Sequence, residues 1–383
     1  MKILHTSDWH IGKKLMGRDR YEEHKAVLLE IAELCKNETV DLVLVAGDIF
    51  DTYTPSAEAE EIFYNSVKEI AKHSAVLVIS GNHDDYVRLT AASKLIEELN
   101  IYIIGNNLCA VSCKERGNTY PIKSGEGFVI FKNKKGEKVF VNTLPYPNEA
   151  RFKEGKTNES FNEKIERWIN LGEIGKEESI PSIFMSHIFA AGGSVSDTER
   201  EIDLGGARVV PLNLFPNCDY AALGHLHKRQ QLGKNNYYYS GAIMQFSFDE
   251  SNTEKSVNLF DLDEEGVKNF KQIALTKLVN LVRLQADSVD LAIELLNNYT
   301  NCFVELTLNL NEPMTATQST ALRSAKNLVS LKTNIDTQNT EEFLVSNKNK
   351  TSSQLFDDYY RLRYDGLPSQ ELKALFLSLT EEE

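Results

Sequence analysis

Cysteine is scarce in this 383-residue chain, with five residues (Cys35, Cys109, Cys113, Cys218, Cys302), an odd number containing no Cys-x-x-Cys pair. That excludes a disulfide framework and a thiolate metal site, and fits a reducing, cytoplasmic setting in which cysteine serves as a small apolar residue. Long apolar runs are missing too. Nothing approaches the roughly 18 residues a membrane helix needs. Met1-Lys2 leads straight into Ile3-Leu4 without the segments of a signal peptide, so no membrane association is expected. Basic charge is in deficit, 42 Lys and Arg against 56 Asp and Glu, a net charge of −14. Taken alone, this weighs against a chain that coats nucleic acid, although a bound pair of divalent cations would offset about four charges locally. The basic cluster Lys132, Lys134, Lys135 and Lys138 reads as a solvated hairpin tip. Histidine stops at His227, so imidazole chemistry lies upstream of that residue.

What is present is ordinary globular material, 42% hydrophobic and 26% charged, long enough for a large core and two or three domains. Apolar runs at 3–7, 42–46, 76–79 and 101–104 alternate with helical patterns at 22–36, 57–73 and 89–99. Continuous apolar strands separated by helices indicate a parallel sheet covered on both faces. From 108 to 145 the pattern turns to β-type alternation with glycine turns, and a helix follows at 160–171. Further strands are expected at 183–185 and 220–223, and antiparallel ones at 237–240, 256–260 and 270–274. The polar stretch from Gly192-Gly193 to Gly205-Gly206 suits a long functional loop. After about 275 a compact β-α-β-α-β set (278–335), a polar linker (336–352) and two helices follow, with Phe356, Tyr359 and Tyr360 along the first helix.

Five of the apolar runs empty directly into chemistry-bearing residues. They supply Asp8 and His10, then Asp48, Asn82, His187, and finally His225 and His227. In extended chain, residues two apart point to one side, so Asp8 and His10 can address one point, as can His225 and His227. The carboxyl ends of parallel strands are where such sheets bind ligands. Two carboxylates, four imidazoles and one amide exceed what one ion takes and suit two, with a carboxylate bridging. Nitrogen and oxygen donors without thiolate suit Mn²⁺, Fe or Zn²⁺. Two such ions can activate a water and clamp a phosphate's oxygens, which makes phosphoester hydrolysis the leading chemistry.

Asp8-x-His10, Gly47-Asp48, Gly81-Asn82-His83-Asp84, His187 and Gly224-His225-x-His227 resemble, in order and spacing, the five motifs of the calcineurin-like metallophosphoesterases. The stretches 3–12, 47–52, 196–200 and 247–250 are similar to those of bacterial SbcCD nuclease subunits. The resemblance implies an α/β fold of two β-sheets flanked by helices (1–275, nuclease domain) and a small α+β capping domain (276–345). It also implies a linker with C-terminal helices (346–383) that bind an SbcC-type ATPase through residues such as Phe356, Tyr359 and Tyr360. Asp8, His10, Asp48 and His227 would hold the first of two divalent ions, Mn²⁺ by the family's habit. Asp48 would bridge, and Asn82, His187 and His225 would complete the second site. His83 would face the scissile phosphate as a catalytic residue without ligating, and Asp84 would orient it. Asp51 stands where archaeal and eukaryotic relatives carry a histidine, and Trp9 is expected in the core.

The implied activity is an exonuclease on duplex DNA ends and an endonuclease on single strands and hairpins, in a homodimer within a heterotetramer. A cyclic-nucleotide or other small-molecule phosphodiesterase is the alternative, against which the 275–383 extension speaks. A non-catalytic scaffold is the third reading, against which the complete ligand set and His83 speak.

Overall fold

Strands buried on both faces need apolar residues at every position, and the first sheet has them. In the computed structural model, which describes residues 1–148, 151–152, 158–194, 209–335, 350–364 and 366–380, β1 (Lys2–Thr6), β2 (Leu42–Ala46), β3 (Ala75–Ile79) and β4 (Ile101–Ile104) run parallel in that order. The helices α1 (Tyr21–Asn37) and α2 (Ala57–Ala71) connect them, and Ser56 caps α2 by accepting the Ala59 amide. The single helix expected at 89–99 is three short pieces: α3 (Tyr86–Thr90), α4 (Ser93–Ile96) and a 3-10 turn (Glu97–Leu99). It starts early because the Asp85 carboxylate caps the amides of Val87 and Arg88, and it ends at Asn100 in the left-handed conformation.

A meander follows, β5 (Thr119–Gly125), β6 (Phe128–Asn133) and β7 (Lys138–Leu144), with exposed Lys134 and Lys135 at the tip of the second hairpin. After α5 (Phe161–Glu173), which opens with a Ser160–Glu163 capping box, come β8 (Ser182–His187), β9 (Tyr220–Gly224), β10 (Gln230–Gln231) and β11 (Tyr237–Tyr239). The second sheet has the order β10-β11-β9-β8-β7-β6-β5. The antiparallel expectation for 237–240 holds for one of the strand's two neighbours, β10. Short β10 takes the outer edge and turns back, so β11 lies parallel to β9. The antiparallel expectation holds for β12 (Ser256–Asp263), which returns to flank β1 in the first sheet, and for β13 (Gly266–Ala274), which pairs outside it.

Period-two side-chain alternation sorts this unit into four layers. Ile3, Leu42, Leu44 and Leu77 face Val129, Phe131, Val141 and Met185 of the second sheet. Their neighbours Leu4, Val43, Val45 and Val78 face α1 and α2 through Val27, Leu28, Phe63 and Val67. On the far side, α5 lays Ile165, Trp168 and Ile169 over Phe184, Ala221 and Leu223. Each such buried side chain is worth about 1.5–3 kcal/mol, so these layers hold the sheets in register and their strand ends in place. Trp9 is fully buried against Phe63, and its indole N–H donates to Thr6 Oγ1.

The chain divides into two compact units, Met1–Val279 and Asn280–Glu383. In the second, β14 (Asn280–Ala286), β15 (Cys302–Leu310) and β16 (Leu328–Ile335) form a parallel sheet joined by α6 (Val289–Asn298) and α7 (Ala316–Arg323). Ala292, Leu296, Val304, Leu306 and Leu322 make its core. Then α8 (Ser352–Tyr364) and α9 (Gln370–Thr380) pair, with Phe356 stacked on Phe376 at 4.1 Å. Phe356 and Tyr360 are half-buried, while Tyr359 is exposed. The aromatic stripe is therefore divided, two rings on one side and Tyr359 open. The loop motif 196–200 with Gly205-Gly206, and all of 336–349 in the linker, lie outside the described residues. Among the described residues no helix is long and apolar enough to cross a membrane.

Candidate metal centre

Six of the seven expected ligands lie within three residues of the carboxyl end of β1, β2, β3, β8 or β9, and His10 lies four past the end of β1. The chain turns sharply at these points. Asp8, His10, Asp48 and His225 all have positive φ, 52°, 43°, 52° and 106°, a conformation that costs non-glycine residues of order 1–3 kcal/mol and clusters at functional sites. Glycines make room for the rest. A Cβ on Gly81 would collide with Asp48 Oδ1, and one on Gly47 with His187 Nδ1.

The turns bring the side chains together. His10 Nε2 lies 3.1 Å from His227 Nε2 and 3.5 Å from Asp48 Oδ2. Asp48 Oδ2 lies 3.3 Å from His187 Nε2. Asn82 Oδ1 is 2.9 Å from His187 Nε2 and 3.0 Å from His225 Nδ1. Asp8 accepts the His225 amide at 3.0 Å and the Ser7 hydroxyl. Three sets of close donors result: Asp8, His10 and His227; His10, Asp48 and His83; Asp8, Asp48 and His187. Two ligands at about 2.1 Å from one ion and at right angles lie about 3 Å apart, so these spacings are those of edges of coordination shells.

The chemistry of the donor set also fits cations. Burial pushes His10 down to about 3 against the pull of Asp51 and Asp48, and burial with the neighbouring His187 does the same to His225. Both rings are thus neutral, the state that binds a metal. Burial would depress His187 as well, but Asp48 overcomes it and carries the ring to about 9. Burial alone would raise Asp48, yet His187 and His83 hold it well below the usual carboxylate range. Burial raises Asp8 to about 6 despite His187 and His227. Neutral ring nitrogens crowded against acceptor oxygens, His225 Nδ1 on Asn82 Oδ1 and His10 Nε2 near Asp48 Oδ2, are complementary to positive ions.

Second partners orient the rings. His187 Nδ1 donates to the Ala46 carbonyl at 2.8 Å, which turns Nε2 into the cluster. His227 Nδ1 faces Glu250 Oε1 at 3.5 Å, and Lys255 pairs with the other Glu250 oxygen while donating to the His227 carbonyl. Burial opposes ionisation of Glu250, but Lys255 and His227 keep it an anion, its pKa down at about 2. Phe246 packs edge-on against His10 and His227. Sequence reasoning misses these supports, since Glu250 stands out there only as part of the stretch 247–250.

Asn82 and His83 are half-buried while the other six expected ligands are buried, so the cluster meets solvent at Asn82 and His83. His83 Nδ1 donates to the Asp51 carbonyl at 2.7 Å, and its amide donates to Asp48 Oδ1 at 2.8 Å. Asp84 is the residue expected to orient His83. Its buried carboxylate accepts the amides of Gly81, Ile49 and Phe50, stapling the Asn82 loop to the Asp48 loop, and the group that holds the His83 ring is the backbone of Asp51. The Asp51 side chain pairs with Lys13 at 2.9 Å and faces His10 Nδ1 at 3.6 Å.

The calcineurin-like phosphoesterase profile matches residues 1–229, more than half of the chain. The SbcD subunit of the SbcCD nuclease from Bacillus subtilis (strain 168) is 31% identical over 99% of this chain and 97% of its own length. The chain belongs to the calcineurin-like phosphoesterases, in the SbcD family. Proteins of the same description from Staphylococcus epidermidis (29% identical; 82% of this chain, 81% of that one) and Rhodobacter capsulatus (32%; 75% and 72%) agree. As a member of the phosphoesterases, the chain is a phosphodiester hydrolase that works with divalent metal ions, and the cluster at the sheet ends is where its donors converge.

Proposed function

We propose that this chain is the nuclease subunit of an SbcCD-type complex, cutting DNA at duplex ends and in single strands or hairpins with two Mn²⁺ ions. The observation that carries the reading is the convergence of seven N and O donors, with His83 beside them at the solvent face. Asp8, His10, Asp48 and His227 would hold one ion, and Asp48, Asn82, His187 and His225 would hold the other. Bound there, the pair supplies a polarised water and charge neutralisation for the phosphate in an in-line displacement. The protein's own part is to fix the donors on rigid strand ends and to hold a proton at His83 Nε2 for the departing oxygen, the ring being anchored through Nδ1. Asp51, through its carbonyl, does the anchoring.

The acidic balance of the chain is met by a partner that carries much of the DNA contact, an SbcC-type ATPase, in a heterotetramer built on a homodimer of this subunit. The α8–α9 pair presents exposed Leu355, Tyr359, Leu372, Leu375 and Leu379, an apolar surface suited to that partner, while Phe356 stacks on Phe376 between the two helices. Ending the chain at residue 350 is expected to spare Mn²⁺-dependent hydrolysis of small phosphodiesters and to abolish co-purification with SbcC. A complex that survives the truncation would refute the assignment. The whole reading is tested by incubating linear duplex and hairpin DNA with the chain and Mn²⁺, with and without SbcC and ATP. Cleavage is expected, and DNA left intact under both conditions refutes it.

A further inference from the structure

Outside the five motifs a buried cation reaches the metal cluster. Arg151, between β7 and α5, is 5% exposed. Its Nη1 donates to the Gly81 carbonyl at 2.7 Å and to Ser80 Oγ at 3.3 Å. Its Nη2 donates to the Asp84 carbonyl at 2.7 Å, and to the Asn82 carbonyl and the Tyr53 hydroxyl at 3.3 Å. The guanidinium carbon lies 5.3 Å from the Tyr146 ring centre, 5.8 Å from Tyr86 and 6.0 Å from Tyr53. Its hydrogen bonds go to carbonyls and hydroxyls, and its faces go to aromatic rings, which attract a desolvated cation.

Burying a charge in this way is costly unless it organises something. What it organises is one loop. Three carbonyls, those of Gly81, Asn82 and Asp84, are drawn to one side by a planar fork that a point-charge ammonium could not match. The opposite side of the loop is thereby turned to the cluster, with the His83 amide on Asp48 and Asn82 Oδ1 between His187 and His225. Tyr146 extends the effect, since the ring that covers the guanidinium also stacks on His225 at 6.5 Å and meets His187 edge-on at 6.3 Å. None of these contacts touches Asp8, His10 or His227.

We propose that Arg151 is a positioning residue for one half of the metal pair: its guanidinium clamps the 80–84 loop and so sets Asn82, His187 and His225 for their ion and aims His83. This rests on the two-ion reading above. The test is calorimetric titration of Mn²⁺ into the full chain as wild type, Arg151→Lys and Arg151→Ala, with circular dichroism to confirm folding. The wild type is expected to take two ions. In the variants one ion stays as tight as in wild type and the other weakens about 10–100-fold, the usual cost of losing a group that orients ligands. Free guanidinium ion at millimolar concentration restores the second site in Arg151→Ala. If that variant does not fold, Arg151→Lys, which keeps the charge but loses the fork, carries the test. Two ions bound as in wild type by a folded variant, or both weakened by one factor, overturn the proposal. A wild-type chain that takes up no Mn²⁺ pair overturns the parent reading instead, which separates the two failures.

Discussion

A His83→Gln chain is expected to bind its full complement of Mn²⁺ and to hydrolyse phosphodiesters about 10²–10⁴-fold more slowly, the range for losing a positioned general acid. The structure separates the two properties. The hydrogen bond from this residue to Asp48 comes from the backbone amide at 2.8 Å and survives any side-chain change. The ring itself is anchored through Nδ1 on the Asp51 carbonyl at 2.7 Å, and lies edge-on to His10 with ring centres 4.8 Å apart. The competing role is ligation, because His83 also comes close to His10 and Asp48 in a set of three donors. The two roles give opposite results. A ligand lost to glutamine removes an ion, whereas a lost proton donor leaves both in place. Metal analysis beside single-turnover hydrolysis of a small phosphodiester decides between them. Activity equal to wild type would refute the role outright.

The parts of this site that are legible in the sequence share one physical cause. A strand covered on both faces has no polar positions, so the run Leu42 to Ala46, or Ala75 to Ile79, announces itself, and the first polar residues beyond it are those the sheet delivers to its edge. That logic reaches Asp8, Asp48, Asn82, His187 and His225 without coordinates. It does not reach Arg151 or Tyr146, which stand in a polar stretch after β7 that reads as surface. Glu250 and Lys255 are equally hidden, since only the return of β12 to pair with β1, more than 250 residues away, brings them behind His227. Adjacency to His83 is what the sequence shows of Asp84, and its grip on the Asp48 loop is not legible there. A carboxylate one position along a tight turn points the other way, and this one collects three amides. The positive φ of Asp8, His10, Asp48 and His225 is equally silent in sequence, because no glycine marks it. The pairing of β11 with β9 depends on which edge β10 takes, and nothing in the chain between them says so.

An Asp48→Ala chain is expected to lose both ions and, with them, the stabilisation that Mn²⁺ confers on the wild type. Asp48 is the carboxylate proposed above to serve both ions. It belongs to one donor set with His10 and His83 and to another with Asp8 and His187, and its Oδ2 lies 3.5 Å from His10 Nε2 and 3.3 Å from His187 Nε2. On that reading its removal would take a ligand from both positions, so affinity at both is expected to fall together, by more than the roughly 100-fold typical of losing a single orienting group. The fold itself is expected to survive without metal. His187 is carried to about 9 mainly by Asp48 working against burial. Once that anion is gone, the buried ring discharges and does not remain as an unpaired cation. The measurement is thermal unfolding with and without Mn²⁺. Ligand at 100 times its dissociation constant stabilises a folded protein by about 2.7 kcal/mol per site, so the wild-type midpoint should rise markedly and fall again with a chelator. The Asp48→Ala midpoint should move with neither. Asp48→Asn, which keeps the acceptor for the His83 amide, should behave in the same way if shared charge is what matters. A variant that still takes up two equivalents of Mn²⁺ and gains the wild-type increment of stability would show that the two halves of the site do not meet at this carboxylate.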